Sequence, residues 1–126
     1  MTQNKLDTSR ATEAVKATRF VEALSLLESN LAKDPNHIDS LYLAAVCSRY
    51  LKNYDDSKKY IESLLSKAPD MGRAYQELGH LNRDIGNGEN AIAHYRQACE
   101  LNPALLSSWK ALDRKSTRLN SSHALI

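Results

Sequence analysis

Hydrophobic and polar positions along this 126-residue chain recur with helical spacing. Apolar residues return every three or four positions through six stretches, residues 6–17, 21–33, 39–51, 55–67, 73–85 and 89–101. That period marks helices with one buried stripe. No window alternates with the two-residue period of a half-buried strand, and none approaches the length of a membrane span. Three short breaks interrupt the pattern within helix pairs: Thr18-Arg19-Phe20, Lys52-Asn53-Tyr54 and Gly86-Asn87-Gly88. The glycine pair of the last break permits left-handed backbone angles in a tight turn.

The longer breaks carry the prolines. Pro35, Pro69 and Pro103 are each 34 residues from the next. Proline at that place stops one helix and lets another begin. Aligned on the prolines, the chain divides into blocks 4–37, 38–71 and 72–105, each a pair of helices. The first helix of the first block is polar and rich in Thr and Ser, as suits a terminal unit whose outer face meets water.

The aligned residues resemble the tetratricopeptide repeat, whose pattern is W-x2-L-G-x2-Y, then A-x3-F, then P. Block three reads Tyr75-x2-Leu78-Gly79-x2-Asn82, then Ala91-x3-Tyr95, then Pro103. Block two holds Leu41, Ala45, Ser57, Ile61 and Pro69 in the matching places, and block one holds Ala11, Ala23, Leu27 and Pro35. Small residues such as Gly79 and Ala91 suit the crossing of the two helices of one repeat. Large ones, Tyr75, Leu78 and Tyr95, suit the layer between repeats. The expected fold is therefore all-α, a helical-hairpin solenoid wound as a right-handed superhelix, with three repeats and the start of a fourth. The fourth begins on schedule, with Trp109 in the place of Tyr75 and Leu112 in that of Leu78. Asp113 then breaks the pattern, so the repeat domain is expected over residues 1–112, its partial repeat at 106–112.

Charge adds little until it is divided along the chain. The formal net charge is +2. Arg114, Lys115 and Arg118 against Asp113 supply all of it, which leaves 14 basic and 14 acidic side chains in residues 1–112. Residues 113–123, DRKSTRLNSSH, are similar to the reading-frame translation of a sequencing-library adapter, codon for codon. The expectation is that 113–126 form a non-native, disordered tail and that the natural protein continues beyond Leu112. The alternative is a genuine basic, Ser-rich tail that touches phosphate or membrane. With the tail set aside, no nucleic-acid or membrane partner is expected. The polar start, Met1 to Asp7, carries no apolar leader run, so a cytoplasmic location is the default. Cys47 and Cys99 are expected as small packed residues with reduced thiols.

No catalytic or metal constellation emerges. His37, His80 and His94 lack metal-ligand spacing with Cys or acidic neighbours. Nothing orients a base beside Cys47. Gly86-x-Gly88 follows no strand and so is not a phosphate loop. The chain is expected to be non-catalytic, without cofactor or metal, and to hold a protein or peptide partner. The resemblance implies a concave groove lined by the first helix of each pair. Its candidate residues are Tyr42, Val46, Arg49 and Tyr50 in block two, and Arg73, Gln76, Glu77, His80 and Arg83 in block three. Tyr and Arg commonly anchor binding; the alternative is a solvated face with a core edge. A lysine–asparagine clamp for a peptide C-terminus, known in one subgroup, would fall at Thr8, Thr12 and Val46, which do not supply it. Self-association is expected through the open face around Ala98, Leu101, Leu105 and Trp109.

A narrower resemblance rests on LYLxAVCxRYL at residues 41–51, Pro69, GRAxQExGH at 72–80, AxxxYRxAxELNPAL at 91–105 and SWxAL at 108–112. This run is similar to the N-terminal repeats of bacterial tetratricopeptide sulfotransferases. The resemblance implies a parent enzyme that uses the donor PAPS in a separate domain. This chain holds no strand and phosphate loop of that kind.

Overall fold

The computed structural model describes residues 7–105, so the expectations for the fourth repeat and the tail lie outside the described residues. Six helices run in order: α1 (Ser9–Lys16), α2 (Phe20–Lys33), α3 (Ile38–Tyr50), α4 (Tyr54–Lys67), α5 (Gly72–Asp84) and α6 (Gly88–Leu101). A 3₁₀ turn, Pro103–Leu105, follows. The described residues contain no strand. Most helices begin or end a residue from the expected limits; α1 is shorter than expected at its start. The described residues form two compact units, divided between Asp70 and Met71.

The same device closes the first helix of every repeat. Thr18, Lys52 and Gly86 adopt φ of 60°, 66° and 89°. The N–H of each bonds back three residues, to Val15, Arg49 and Arg83, and the N–H of the next residue bonds back five, to Ala14, Ser48 and Asn82. This is the Schellman closure, which satisfies the last carbonyls of a helix. Only the third repeat uses glycine for it. Thr18 and Lys52 hold a left-handed conformation that disfavours L side chains by about 1–2 kcal/mol. The Thr18 hydroxyl donates to the Ala17 carbonyl at 2.6 Å, a local bond that offsets part of this.

The second helices end differently. Asp34, Ala68 and Asn102 have φ between −146° and −135° and positive ψ. Each precedes a proline, whose ring excludes the helical conformation from the residue before it. Where that residue is Asp34 or Asn102, its side-chain oxygen accepts the N–H two residues on, Asn36 and Ala104 respectively. The prolines thus act through the preceding residue as much as through their own missing N–H.

In the first unit α1 packs on α2, α2 on α3, and α3 on α4. Ala11, Ala14, Ala23, Leu27, Ala44 and Cys47 form a shared core, with Val15, Phe20, Leu24, Leu26, Leu31, Leu43 and Tyr60 against it. The α3–α4 crossing is marked by the buried Ser57 hydroxyl, which donates to the Ala45 carbonyl at 2.9 Å. At the start of the unit, the Asn30 side chain donates to the Asp7 carbonyl and to Ser40 Oγ, both at 3.2 Å. That ties the end of α2 to the starts of α1 and α3. In the second unit α5 and α6 form one hairpin, and the 3₁₀ turn packs on α6.

Small residues stand at the crossings, as the spacing predicts. A Cβ on Gly79 would lie 2.7 Å from the Tyr95 ring. Ala91 is buried. Tyr95 is 3% exposed and fills its own hairpin beneath Gly79; it was expected in the layer between repeats. Gly72 makes a second close approach: its Cβ would meet Asn102 Cβ at 2.9 Å and the Ala98 carbonyl at 3.0 Å.

Candidate functional site

Helix periodicity groups Tyr42, Val46 and Arg49 on one face of α3. Tyr42 and Val46 are half-buried. Arg49 is 6% exposed, whereas its neighbour Tyr50 is 53% exposed. The Arg49 guanidinium carbon lies 4.6 Å from the Tyr50 ring centre. Tyr50 also stacks flat on Phe20, the first residue of α2, with centroids 4.5 Å apart and planes within 2°. A cation over an aromatic face and a stacked pair each add of order 1 kcal/mol. They fix Tyr50 while leaving half its surface to solvent. Phe20 was not among the candidates expected from sequence. It lies thirty residues from Tyr50 in another helix, and no local pattern links them.

On α5, Arg73 and Arg83 are exposed, Gln76 and His80 are half-buried, and Glu77 is 2% exposed. Arg83 pairs with the adjacent Asp84, Nη2 to Oδ1 at 3.0 Å. His80 Nδ1 lies 2.7 Å from the Tyr95 hydroxyl, with the rings edge to face at 5.3 Å. With the imidazole proton on Nε2, the Tyr95 hydroxyl donates to Nδ1. The buried core ring thereby sets the rotamer of a residue on the candidate face.

Burial changes the reading of two candidates. Arg49 and Glu77 were expected to line an open surface, and both are buried. Helical phase groups each with the other candidates of its own helix, but phase alone does not separate a stripe's rim from its floor. Thr8 and Thr12, the places of the absent clamp, are half-buried in the first unit.

Behind this face on α6, His94 stacks on Tyr75 with centroids 6.4 Å apart. Its Nδ1 is buried without a hydrogen-bond partner. Burial pushes its pKa below the ordinary imidazole value. Across the first unit, Tyr60 is pushed up by burial, then by Glu28 and Asp56. Cys47 is buried and Cys99 half-buried, and neither is in a disulfide. Among the described residues no three His, Cys, Asp or Glu side chains gather as a metal site. No described helix is long and apolar enough to cross a membrane.

Stacked helical hairpins with a 34-residue period define a repeat protein of the helical-hairpin solenoid class. Tetratricopeptide-repeat family models match residues 14–81 and 72–105, and the chain belongs to that family. No curated protein matches it. Among solved structures it is similar to MamA AMB-1, at 20% identity and a TM-score of 0.68, covering 77% of this chain and 57% of that one. It is also similar to MamA 41-end from Desulfovibrio magneticus RS-1, at 18% identity and 0.67, covering 93% and 75%. A third likeness is to the first TPR of Spaghetti (RPAP3) bound to the HSP90 peptide SRMEEVD, at 15% identity and 0.72, covering 87% and 90%. The chain thus spans little more than half the length of the MamA AMB-1 chain. At these identities the likenesses establish the fold.

Proposed function

We propose that the chain is a non-catalytic interaction module that takes a peptide or partner segment on the first-helix face of α3. The observation that carries this is Tyr50: an aromatic ring held by Phe20 and Arg49, yet half open to solvent. A rigid, partly exposed tyrosine loses little freedom on binding, the property that makes tyrosine an anchor at interfaces. Within the second unit, Arg73, Gln76, His80 and Arg83 on α5 offer donors as a candidate surface of their own. The Spaghetti structure, solved with a peptide, supports the reading as a fold-level parallel.

The test is selection of displayed peptides on the full chain, followed by titration of the winners. Tyr50→Ala should weaken binding at least tenfold. Arg96→Glu, on the exposed side of α6, should leave it unchanged. Equal loss from Tyr50→Ala and Arg96→Glu would sink the assignment of the face.

A second reading rests on the motif run from LYLxAVCxRYL to SWxAL. In it, the module is the N-terminal arm of a PAPS-dependent sulfotransferase. Long-read sequencing of the source locus tests this: a strand and phosphate-loop segment downstream in frame supports it, and further repeats followed by a stop codon oppose it.

A further inference from the structure

We propose that Asn87 is a site of spontaneous covalent modification, in which the Gly88 backbone nitrogen closes on the Asn87 side-chain amide. The Gly88 N–Cγ bond forms as the Cγ–Nδ2 bond breaks. The Gly88 amide proton is lost to solvent, and Nδ2 leaves as ammonia. Water then opens the cyclic imide. Attack at Cγ yields aspartate on a normal backbone; attack at the Asn87 carbonyl carbon yields isoaspartate, with one more carbon in the main chain.

Three observations converge on this residue. Gly86, Asn87 and Gly88 are all exposed, and a Cβ built on either glycine meets nothing within 4 Å. Gly88 is the first residue of α6, where backbone N–H groups have no partner within the helix. The Asn87 side chain is held by a single long cap contact, 3.4 Å from Asn90 N–H to Oδ1.

The neighbouring repeat supplies an internal control. Asn53 occupies the same place 34 residues earlier, with φ −91° and ψ 73° against −105° and 75° for Asn87. Both backbones are restrained alike, through Asn53 N–H to Ser48 and Asn87 N–H to Asn82. The residue after Asn53 is Tyr54, whose side chain crowds the attacking nitrogen; the residue after Asn87 is glycine. The products differ in effect. Aspartate caps a helix as well as asparagine and complements its positive end. Isoaspartate takes the Asn87 carbonyl, which accepts the Ala91 N–H at 3.0 Å, out of the main chain and lengthens the link from the left-handed Gly86 to α6.

The folded full chain is incubated at mildly alkaline pH and mapped by mass spectrometry, with isoaspartate resolved from aspartate. Asn87 should convert at least severalfold faster than Asn53. Gly88→Ala, which the open surroundings accommodate, should slow it to the Asn53 rate. A parallel incubation in urea reports the unfolded chain. Equal rates at Asn53 and Asn87, an unchanged rate in Gly88→Ala, or conversion confined to the unfolded chain would each overturn the proposal.

Discussion

Gly79→Ala puts the hairpin packing of the third repeat to a quantitative test. The added methyl would sit 2.7 Å from two Tyr95 ring carbons, well inside contact distance. The ring cannot swing away freely, because its hydroxyl holds His80 Nδ1 at 2.7 Å and its residue is 3% exposed. Overpacking of this kind costs about 1–3 kcal/mol. Displacing the ring far enough to relieve it costs about 1 kcal/mol more in hydrogen bonding. Against these, Ala gains about 1 kcal/mol over Gly in helix propensity. The net expectation is a loss of about 2 kcal/mol, with clash outweighing propensity. The other repeats carry the compensation. In register, Ala45 faces the level of Ile61 and Ala11 that of Leu27, so alanine goes with an aliphatic partner and glycine with tyrosine. Tyr95→Leu alone should destabilise by leaving space beside Gly79, but combined with Gly79→Ala it should cost less than the sum. A coupling of about 1 kcal/mol or more is expected for residues in contact. Urea unfolding followed by far-UV circular dichroism measures all four corners of the cycle. A Gly79→Ala variant as stable as the parent, or strict additivity with Tyr95→Leu, would refute the reasoning.

Other outcomes follow from the same geometry. Lys52→Gly should raise stability by about 1 kcal/mol by relieving a left-handed residue, and Gly86→Lys should lower it similarly; thermal melts that move in opposite directions check this. Thr18→Gly should gain less than its strain alone suggests, because the Thr18–Ala17 bond is lost with it. Ser57→Ala should change stability by less than about 1 kcal/mol, since Ala23 and Ala91 fill the same place in the other repeats; a larger loss in denaturant titration would show that the bond to Ala45 matters more than the crossing itself. His94 has a folded pKa below its ordinary value, so folding favours its neutral form. Its contribution should be complete above the ordinary imidazole range and fall away as pH drops through it, about pH 6–7, and on to the folded pKa. His94→Phe should remove that acid-side loss, and parallel pH-stability curves for parent and variant would count against it.

What the chain determined by itself is the repeat. Prolines 34 residues apart, the helical apolar period and small residues at matched positions are local signals, and each acts within a few residues of where it is read. They sufficed for six helices paired as hairpins and for Gly79 and Ala91 at a crossing. Thr18 and Lys52 stand in the register of Gly86, so the 34-residue period carries the left-handed closure to all three repeats. Tertiary structure alone decided which residues meet and how deeply. Phe20 stacks on Tyr50, Tyr95 reaches His80, and Arg49 and Glu77 lie buried on a stripe that phase marks only as one face. The physical reason is that periodicity sets direction around a single helix axis, whereas burial and contact depend on the second helix that covers it.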